Sequence, residues 1–497
     1  MKTAVWILAV ALVAGQLAAQ TNVPIVNTVP APMAVPTPPQ PYLSVPGPIA
    51  PAPFVPTPNI PYAPITNARP FRPRAPILAP NSQEITTQFL QAPPIPPTAA
   101  QIAATQTVVR VVEEPLPVML VTNRFLYVEP NGNDEEADGS VAAPFRTIQR
   151  AANTAEPGDT VIVRPGVYEG FRTRRGGTNG CPITFQARGN VLILDSKNIP
   201  PDHILVRGTD WIVIDGFTLR QAKRSGIGVI ESSDVVIKNN VCATNQVWGI
   251  FSGFAPRIQV LNNKAFGCRE QHGIYISNSR VPDDNPVIRG NECFENAGSG
   301  IQLNGDCNMG GDGYINGALV ENNIIHHNGI KGFSLASIQG SLIQNNLLYN
   351  NGLLAGAGGI HLSDEPGCEK PSCDNIVVNN TIAEPSIAPI RFSDGATRNF
   401  VFNNIIFGRR GIVDEAGGNE IDTESNLRSD MAMDFFANAD AFDFRLRPGT
   451  PARDAGRLQY LGKNAPTNDI TGFRRSFTIP CIGAYELTPF IPMGSSR

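Results

Sequence analysis

From Trp211 onward one phrase keeps returning: VIDG, VIKNN, QVLNN, VIRGN, LVENN, LIQNN, VVNN and VFNN. With Gly216, Asn240, Asn263, Asn291, Asn323, Asn346, Asn380 and Asn404 as anchors, the intervals are 24, 23, 28, 32, 23, 34 and 24 residues, a base period near 23 with insertions. An aliphatic side chain stands three places before each anchor, from Val213 and Ile237 to Val377 and Val401. A small or apolar one stands two places after each Asn anchor, from Cys242 and Ala265 to Ile382 and Ile406. A unit this short cannot bury its own apolar side, but stacked units share a continuous core. Short strands divided by tight bends make each unit one turn of a parallel β-helix. Asn suits the bend because it tolerates left-handed φ and its amide can bond to the Asn above and below. Leucine-rich repeats need an LxxLxLxxN spacing, which is absent.

A second phrase follows each Asn anchor by nine to thirteen residues: GIFS, GIYIS, GIQLN, GFSLA, GIHLS and PIRFS. Strand alternation sends Ile274 and Ile276, Ile301 and Leu303, and their counterparts inward. The residues between them, Tyr275, Gln302, Ser334, His361 and Arg391, then face outward in a column about 19 Å long. Beside it run Ser277, Asn304, Ala336, Ser363 and Ser393. Three insertions, 278–285, 305–316 and 364–374, leave the coil just after this strand, so they are expected to wall the face into a groove. Insertions gathered on one side of a solenoid often mark the binding side. The candidate catalytic residues are Tyr275, His361 and Arg391, and the candidate substrate contacts are His272, Gln302, Asn304, Ser334, Asp364 and Asp394. Outward polar residues on a solenoid are commonly just hydrated, so it is their coincidence on one walled face that singles them out. Asp283, Asp284, Asp306, Asp312, Asp364 and Glu365 offer hard oxygen ligands for Ca²⁺, although loop acids are usually hydrated and no DxDxDG loop is present.

The rest of the 497-residue chain frames this repeat. Residues 1–19 combine Lys2, an apolar run from Ala4 to Ala14 and a small-residue cleavage point, the pattern of an export signal. Residues 20–120 carry proline every few positions with no period of 2 or 3.6, which favours an extended, disordered arm over a packed core. Order is expected from 121, with a strand near Phe125, an amphipathic helix near 146–155 capping the first turn, and eight to ten coils to about 410. Residues 411–497 are expected to add the last coils and cover the end. Lys and Arg number 39 against 43 Asp and Glu, so no basic patch points to nucleic acid. No later run of apolar residues is long enough for a membrane span. Eight cysteines lie outside the arm. They show no zinc-type spacing, and in an exported chain Cys368 and Cys373 are the expected disulfide.

The segment FLYVEPNGNDEEADGSVAAPFRTIQRAANTAEPGDTVIVRPGVYEG, with GTPARDAG (449–456), NDITGFRR (468–475) and CIGAYE (481–486), resembles the opening and closing elements of secreted right-handed β-helix proteins of the pectate-lyase-like superfamily. The likeness spans about 125–486. It implies an all-β, single-stranded right-handed parallel β-helix. It implies activity less narrowly, since members include lyases, epimerases, hydrolases and proteins of no known chemistry. Lyases of the superfamily remove the proton α to a uronate carboxylate with a Lys or Arg, after Ca²⁺ or basic residues neutralise that carboxylate. In the family-nine type a Lys follows a GF pair within a GFKLGG-like motif. Here Gly332-Phe333-Ser334-Leu335-Ala336-Ser337 puts Ser334 at that place, with Lys331 out of phase at the strand's start. The paired metal-binding aspartates are replaced by Gln271-His272-Gly273 and Gly298-Ser299-Gly300.

Two functional classes follow. One is an exported enzyme acting by β-elimination on an acidic polysaccharide, with Tyr275 or His361 moving the proton and Arg391 neutralising the carboxylate. The other is a non-catalytic glycan-binding or wall protein using the same face. Both expect a monomer outside the cell.

Overall fold

One turn shows how the repeat becomes structure. Val236–Lys238 forms a strand of the first sheet, Val241–Ala243 a strand of the second and Trp248–Gly253 a strand of the third. Each pairs in parallel with its counterpart about one period later: Val236 with Gln259, Val241 with Lys264, Ile250 with Ile274. In the computed structural model, which describes residues 123–195, 201–354, 358–384, 388–408 and 410–487, the three sheets hold twelve, eleven and ten strands. The solenoid therefore has about eleven turns. The eight to ten expected cover only 125 to about 410, and the count of eleven also takes in the strands after 411, Ile412–Asp414, Glu420–Ile421 and Leu427–Ser429. The leader and proline-rich arm expected for 1–120 lie outside the described residues. No described helix is long and apolar enough to cross a membrane.

The two jobs assigned to the bend asparagine fall to adjacent residues. Asn239, Asn262, Asn322, Asn345, Asn379 and Asn403 take the left-handed conformation, as do Gly216 and Gly290. The next residue turns inward. Asn240, Asn263, Asn291, Asn323, Asn346, Asn380 and Asn404 are fully buried, and each Nδ2 donates to the Oδ1 of the next, ending on Asn426, at 2.9–3.1 Å. Gly216 thus aligns with Asn239, and Phe217 opens the ladder by donating its N–H to Asn240 Oδ1 at 2.9 Å. The spine amides also serve the backbone, since Asn263 Oδ1 accepts from Asn240 N and Asn240 Nδ2 donates to Ile214 O.

A shorter ladder runs through the bend before the third sheet, Asn296 to Asn328 to Asn351, and ends on the buried carboxylate of Glu384, which accepts from Asn351 N at 2.8 Å and Nδ2 at 2.7 Å. Burial pushes this carboxyl up from 4.5 to about 7. The folded state therefore holds the proton more tightly than the unfolded chain, and stability falls as pH rises from 4.5 through 7. At 1.36 kcal/mol per unit the loss is on the order of 3 kcal/mol. Urea midpoints measured across that window are expected to fall in the wild type, and Glu384→Gln is expected to remove most of the slope.

The helix Ile148–Thr154 buries Ile148, Ala151 and Ala152, and Thr147 caps it by accepting from Arg150 N. It closes the first turn as expected: Gln149 accepts from Arg172 N at 2.9 Å and donates to Arg172 O at 3.0 Å, occupying the free edge of the first strand in the third sheet. At the other end charged side chains reach inward positions. Asp414 pairs with the register of Phe392, and Arg428 with that of Ile406. Such residues end a sheet without leaving an apolar edge.

Beyond the last turn the C-terminal segment packs on the side of the solenoid. It runs back along the outside of the second sheet, where Phe435, Phe436, Phe444, Ala452 and Ile482 pack on Leu347, Tyr349, Ala383 and Ile405. Three left-handed asparagines hold it: Asn345 Nδ2 donates to Asn468 O, Asn379 Nδ2 to Cys481 O and Asn403 Nδ2 to Arg457 O, at 2.8–3.1 Å. Arg475, 3% exposed, fixes the return. It pairs with Glu486 at 3.1 Å and donates to Asn345 Oδ1 and to the carbonyls of Cys481, Gly483 and Ala484.

Candidate functional site

Strand register places the expected column on the outer face of the third sheet. Phe251, Tyr275, Gln302, Ser334, His361, Arg391 and Val413 are successive partners. Ser277, Asn304, Ala336 and Ser363 run beside them. The face is less open than alternation alone suggests. At one end Trp248 stacks on Phe251 at 4.6 Å, both buried, and both rings lie 5.6 Å from Tyr275. The Tyr275 hydroxyl donates to the Asp306 carboxylate at 2.7 Å, and burial followed by the charge of Asp306 lifts it well above the usual phenol range.

The two histidines are held rather than free. His361 is 9% exposed and its Nε2 lies 2.8 Å from Ser393 Oγ, whose hydroxyl donates to Asp394 at 2.7 Å. Burial, with the charges of Lys331 and Arg391, lowers His361 to about 4. His272 Nδ1 accepts from Ser299 N at 2.9 Å, and burial and Lys331 bring it to about 3. Both imidazoles are neutral at physiological pH.

Lys331, which the strand phase sets aside, returns to the face. Its backbone precedes the strand Phe333–Ala336, but the four-carbon side chain brings Nζ within 3.4 Å of Ser334 Oγ, in the outward column. Burial and the charge of Arg391 lower its pKa from 10.5. Arg391 bonds to Glu415 through Nη2 at 2.9 Å and keeps its Nε without a partner. Lys331 and Arg391 thus form a cationic pole beside two neutral histidines. Gln302 and Ser334 are half-buried between this pole and Tyr275.

The insertions meet over the opposite edge. Cys307 and Cys368 form the disulfide, joining 305–316 to 364–374 with Cα atoms 5.3 Å apart. The pairing of Cys368 with Cys373 is corrected. Cys373 is buried and free, its backbone drawn into bridges with Gln339 and Thr397, so it cannot turn to its loop neighbour. Cys242 and Cys293 are free core residues. Asp364 accepts from Ser337 Oγ and Lys370 N, Asp283 pairs with Arg257, and Asp284 accepts from Ser279 N and Asn316 N. The positions matching the family's metal aspartates do not fit a cation: Gln271 accepts from Trp248 Nε1, His272 from Ser299, and glycines flank Ser299. Among the described residues no three His, Cys, Asp or Glu side chains converge on a metal.

A solenoid of three parallel sheets with a walled, charged face on the third defines a pectate-lyase-like right-handed β-helix protein, and the chain is one. Residues 126–280 match the family described as Pel9A-like, right handed beta helix region, and residues 283–427 match the right handed beta helix region family. The crystal structure of pectate lyase Pel9A superposes with a TM-score of 0.54 at 19% identity, over 74% of this chain and 97% of that one. A rhamnogalacturonan lyase structure superposes with a TM-score of 0.50 at 15% identity, over 68% of this chain and 96% of that one. Uncharacterized protein YwoF of Bacillus subtilis is 35% identical over 131 residues, 23% of this chain and 28% of that protein. Pectate lyase PEL9 of Emericella nidulans is 33% identical over 79 residues, 15% of this chain and 19% of its own. The matches thus span less than a third of either relative.

Proposed function

We propose that the chain acts outside the cytoplasm, as a monomer, on an acidic polysaccharide laid along the third sheet, cleaving it by β-elimination. The observation that carries this reading is the return of the Lys331 amine to the outward column beside Arg391. Elimination next to a uronate needs a cation to hold the carboxylate and a base for the α-proton. Arg391, whose side chain is partly exposed and bonded to Glu415 through Nη2 alone, supplies the first, since a guanidinium matches a carboxylate. Lys331 supplies the second, because a desolvated amine gives up its proton at a lower pH than an exposed one. Neutral His361 and the Asp306-bound Tyr275 line the track and position the sugar. His272, Gln302, Asn304, Ser334, Asp364 and Asp394 are its remaining polar contacts and supports. Fold kinship with a pectate lyase and a rhamnogalacturonan lyase supports this substrate class.

The absence of a lysine at Ser334 and of acids at 271–273 and 298–300 favours a second reading, in which the face only grips a glycan. Incubating the purified chain with pectate, rhamnogalacturonan and alginate and following unsaturated-uronate absorbance separates the two. Binding without any rise in absorbance retains only the gripping role. In either case Arg391→Ala is expected to weaken acidic-glycan binding by about 1–3 kcal/mol, the scale for losing a charge-assisted hydrogen bond. Lys238→Ala, on the first sheet and paired with Asp215, should leave it unchanged. Equal losses from both, read by calorimetry, would place the track elsewhere.

A further inference from the structure

We infer that the groove selects a mixed acidic polysaccharide, in which the uronate held at Lys331 and Arg391 is followed, toward Tyr275, by sugars that carry no charge. The inference rests on the glycan track proposed above and narrows its substrate to chains whose uronates are interrupted by neutral or esterified rings. It follows from how charge is divided along the column, whose register runs Tyr275, Gln302, Ser334, His361, Arg391. Lys331 Nζ stands at the Ser334 step, and Arg391 lies two steps further on. The acids lie at the other end. Asp306 accepts from the Tyr275 hydroxyl at 2.7 Å, and Asn304, two places beyond Gln302 on its strand, donates to Asp306 at 3.0 Å and bonds to Glu365. Both acids are partly exposed, on the two insertions that Cys307–Cys368 joins over that edge.

The balance of charge differs between the two ends. At the Lys331 end Glu415 is bonded to Arg391, and Asp394 is reached through Ser393. At the His361 ring between them, however, Lys331 and Arg391 act more strongly than Asp394 and Glu415. At the Tyr275 end the charges that act on the phenol are those of Asp306 and Glu365. Cations on neighbouring elements are engaged elsewhere: Arg224, over the Phe251 ring at 5.8 Å, is bound to Asp202, and Lys370 faces the Tyr314 ring at 5.7 Å. A carboxylate brought to Tyr275 would meet two like charges at a half-buried surface, where screening is weak and such juxtaposition costs affinity. Two strand spacings, about 10 Å, separate Tyr275 from Ser334, a distance that an extended pyranose chain covers in about two rings. A chain charged at every ring therefore gains at one end and loses at the other. A chain with an uncharged ring at that distance gains without the loss.

The test uses the full chain with pectate and alginate, each prepared fully charged, about half methyl-esterified and fully methyl-esterified. The readout is kcat/KM from unsaturated-uronate absorbance, or affinity by calorimetry where no bond is broken. It is expected to peak at the half-esterified polymer, about tenfold above the fully charged one, and to fall again at full esterification, where Arg391 finds no carboxylate. Glu365→Gln and Asp306→Asn should each raise the fully charged polymer relative to the half-esterified one by about threefold or more. Glu420→Gln, an exposed acid on the first sheet, should leave that ratio unchanged. Both polymers meet the same preparation, so the ratio is indifferent to any loss of folded protein. Preference for the fully charged polymer, or a ratio that stays put in both acid variants, overturns the inference and leaves the glycan track standing. A peak at full esterification, or no binding or turnover on any of these polymers, overturns the track and the inference together.

Discussion

Lys331→Met is expected to lower turnover on the polysaccharide that the wild type cleaves by about 10²–10⁴, the usual contribution of a positioned proton-transfer group, with little change in glycan affinity. The methionine keeps most of the buried stem and removes only the amine. Lys331→Arg should not restore the rate, because a guanidinium does not deprotonate in a protein. The pH profile carries a separate signature. Since burial and Arg391 lower the lysine from 10.5, the neutral amine accumulates at a lower pH than for an exposed lysine. Rate should therefore climb with rising pH along a limb lying below the ordinary lysine range. Arg391→Ala removes one of the two causes, so that limb should move upward in pH. Full turnover in Lys331→Met would transfer the base to another group.

Arg475→Met is expected to destabilise the fold by about 3–5 kcal/mol, the cost of breaking a buried ion pair from one side. Glu486 would keep a buried charge, and the carbonyls of Cys481, Gly483 and Ala484 would lose their donor. Because the guanidinium also bonds to Asn345, the loss should concentrate in the last turns and the C-terminal return. Hydrogen exchange should show 345–349, 379–383 and 452–486 losing protection ahead of the first turns. Uniform loss along the solenoid would mean that the return does not act as a separate clamp.

These two sites differ in how readable they are from sequence. The inward spine from Asn240 to Asn404 is legible because one residue type repeats at a period that only stacking explains, and the outward column follows from it by alternation. The offset at Gly216 is the exception, since Gly and Asn share left-handed φ but only Asn can bond along the spine. Lys331 escapes because alternation reports where Cβ points, not where a long side chain ends. The Cys307–Cys368 bond escapes because it depends on how two insertions from different turns lean together. Arg475 and Asn468 belong to no period, so nothing local marks them as partners of Asn345, although the motifs around them carry the family likeness.

The charges at the far end bear on how such a protein can change length over generations. Asp414 and Arg428 stand where the turn before them has the apolar Phe392 and Ile406. A copied turn spliced after them would have to stack its core on an ionised layer, whereas one spliced between Asn323 and Asn346 would meet matching amides and aliphatics on both sides. Lengthening by duplication is thus open in the middle of the chain and closed at its end, and longer or shorter relatives should differ by whole interior turns while keeping the terminal one.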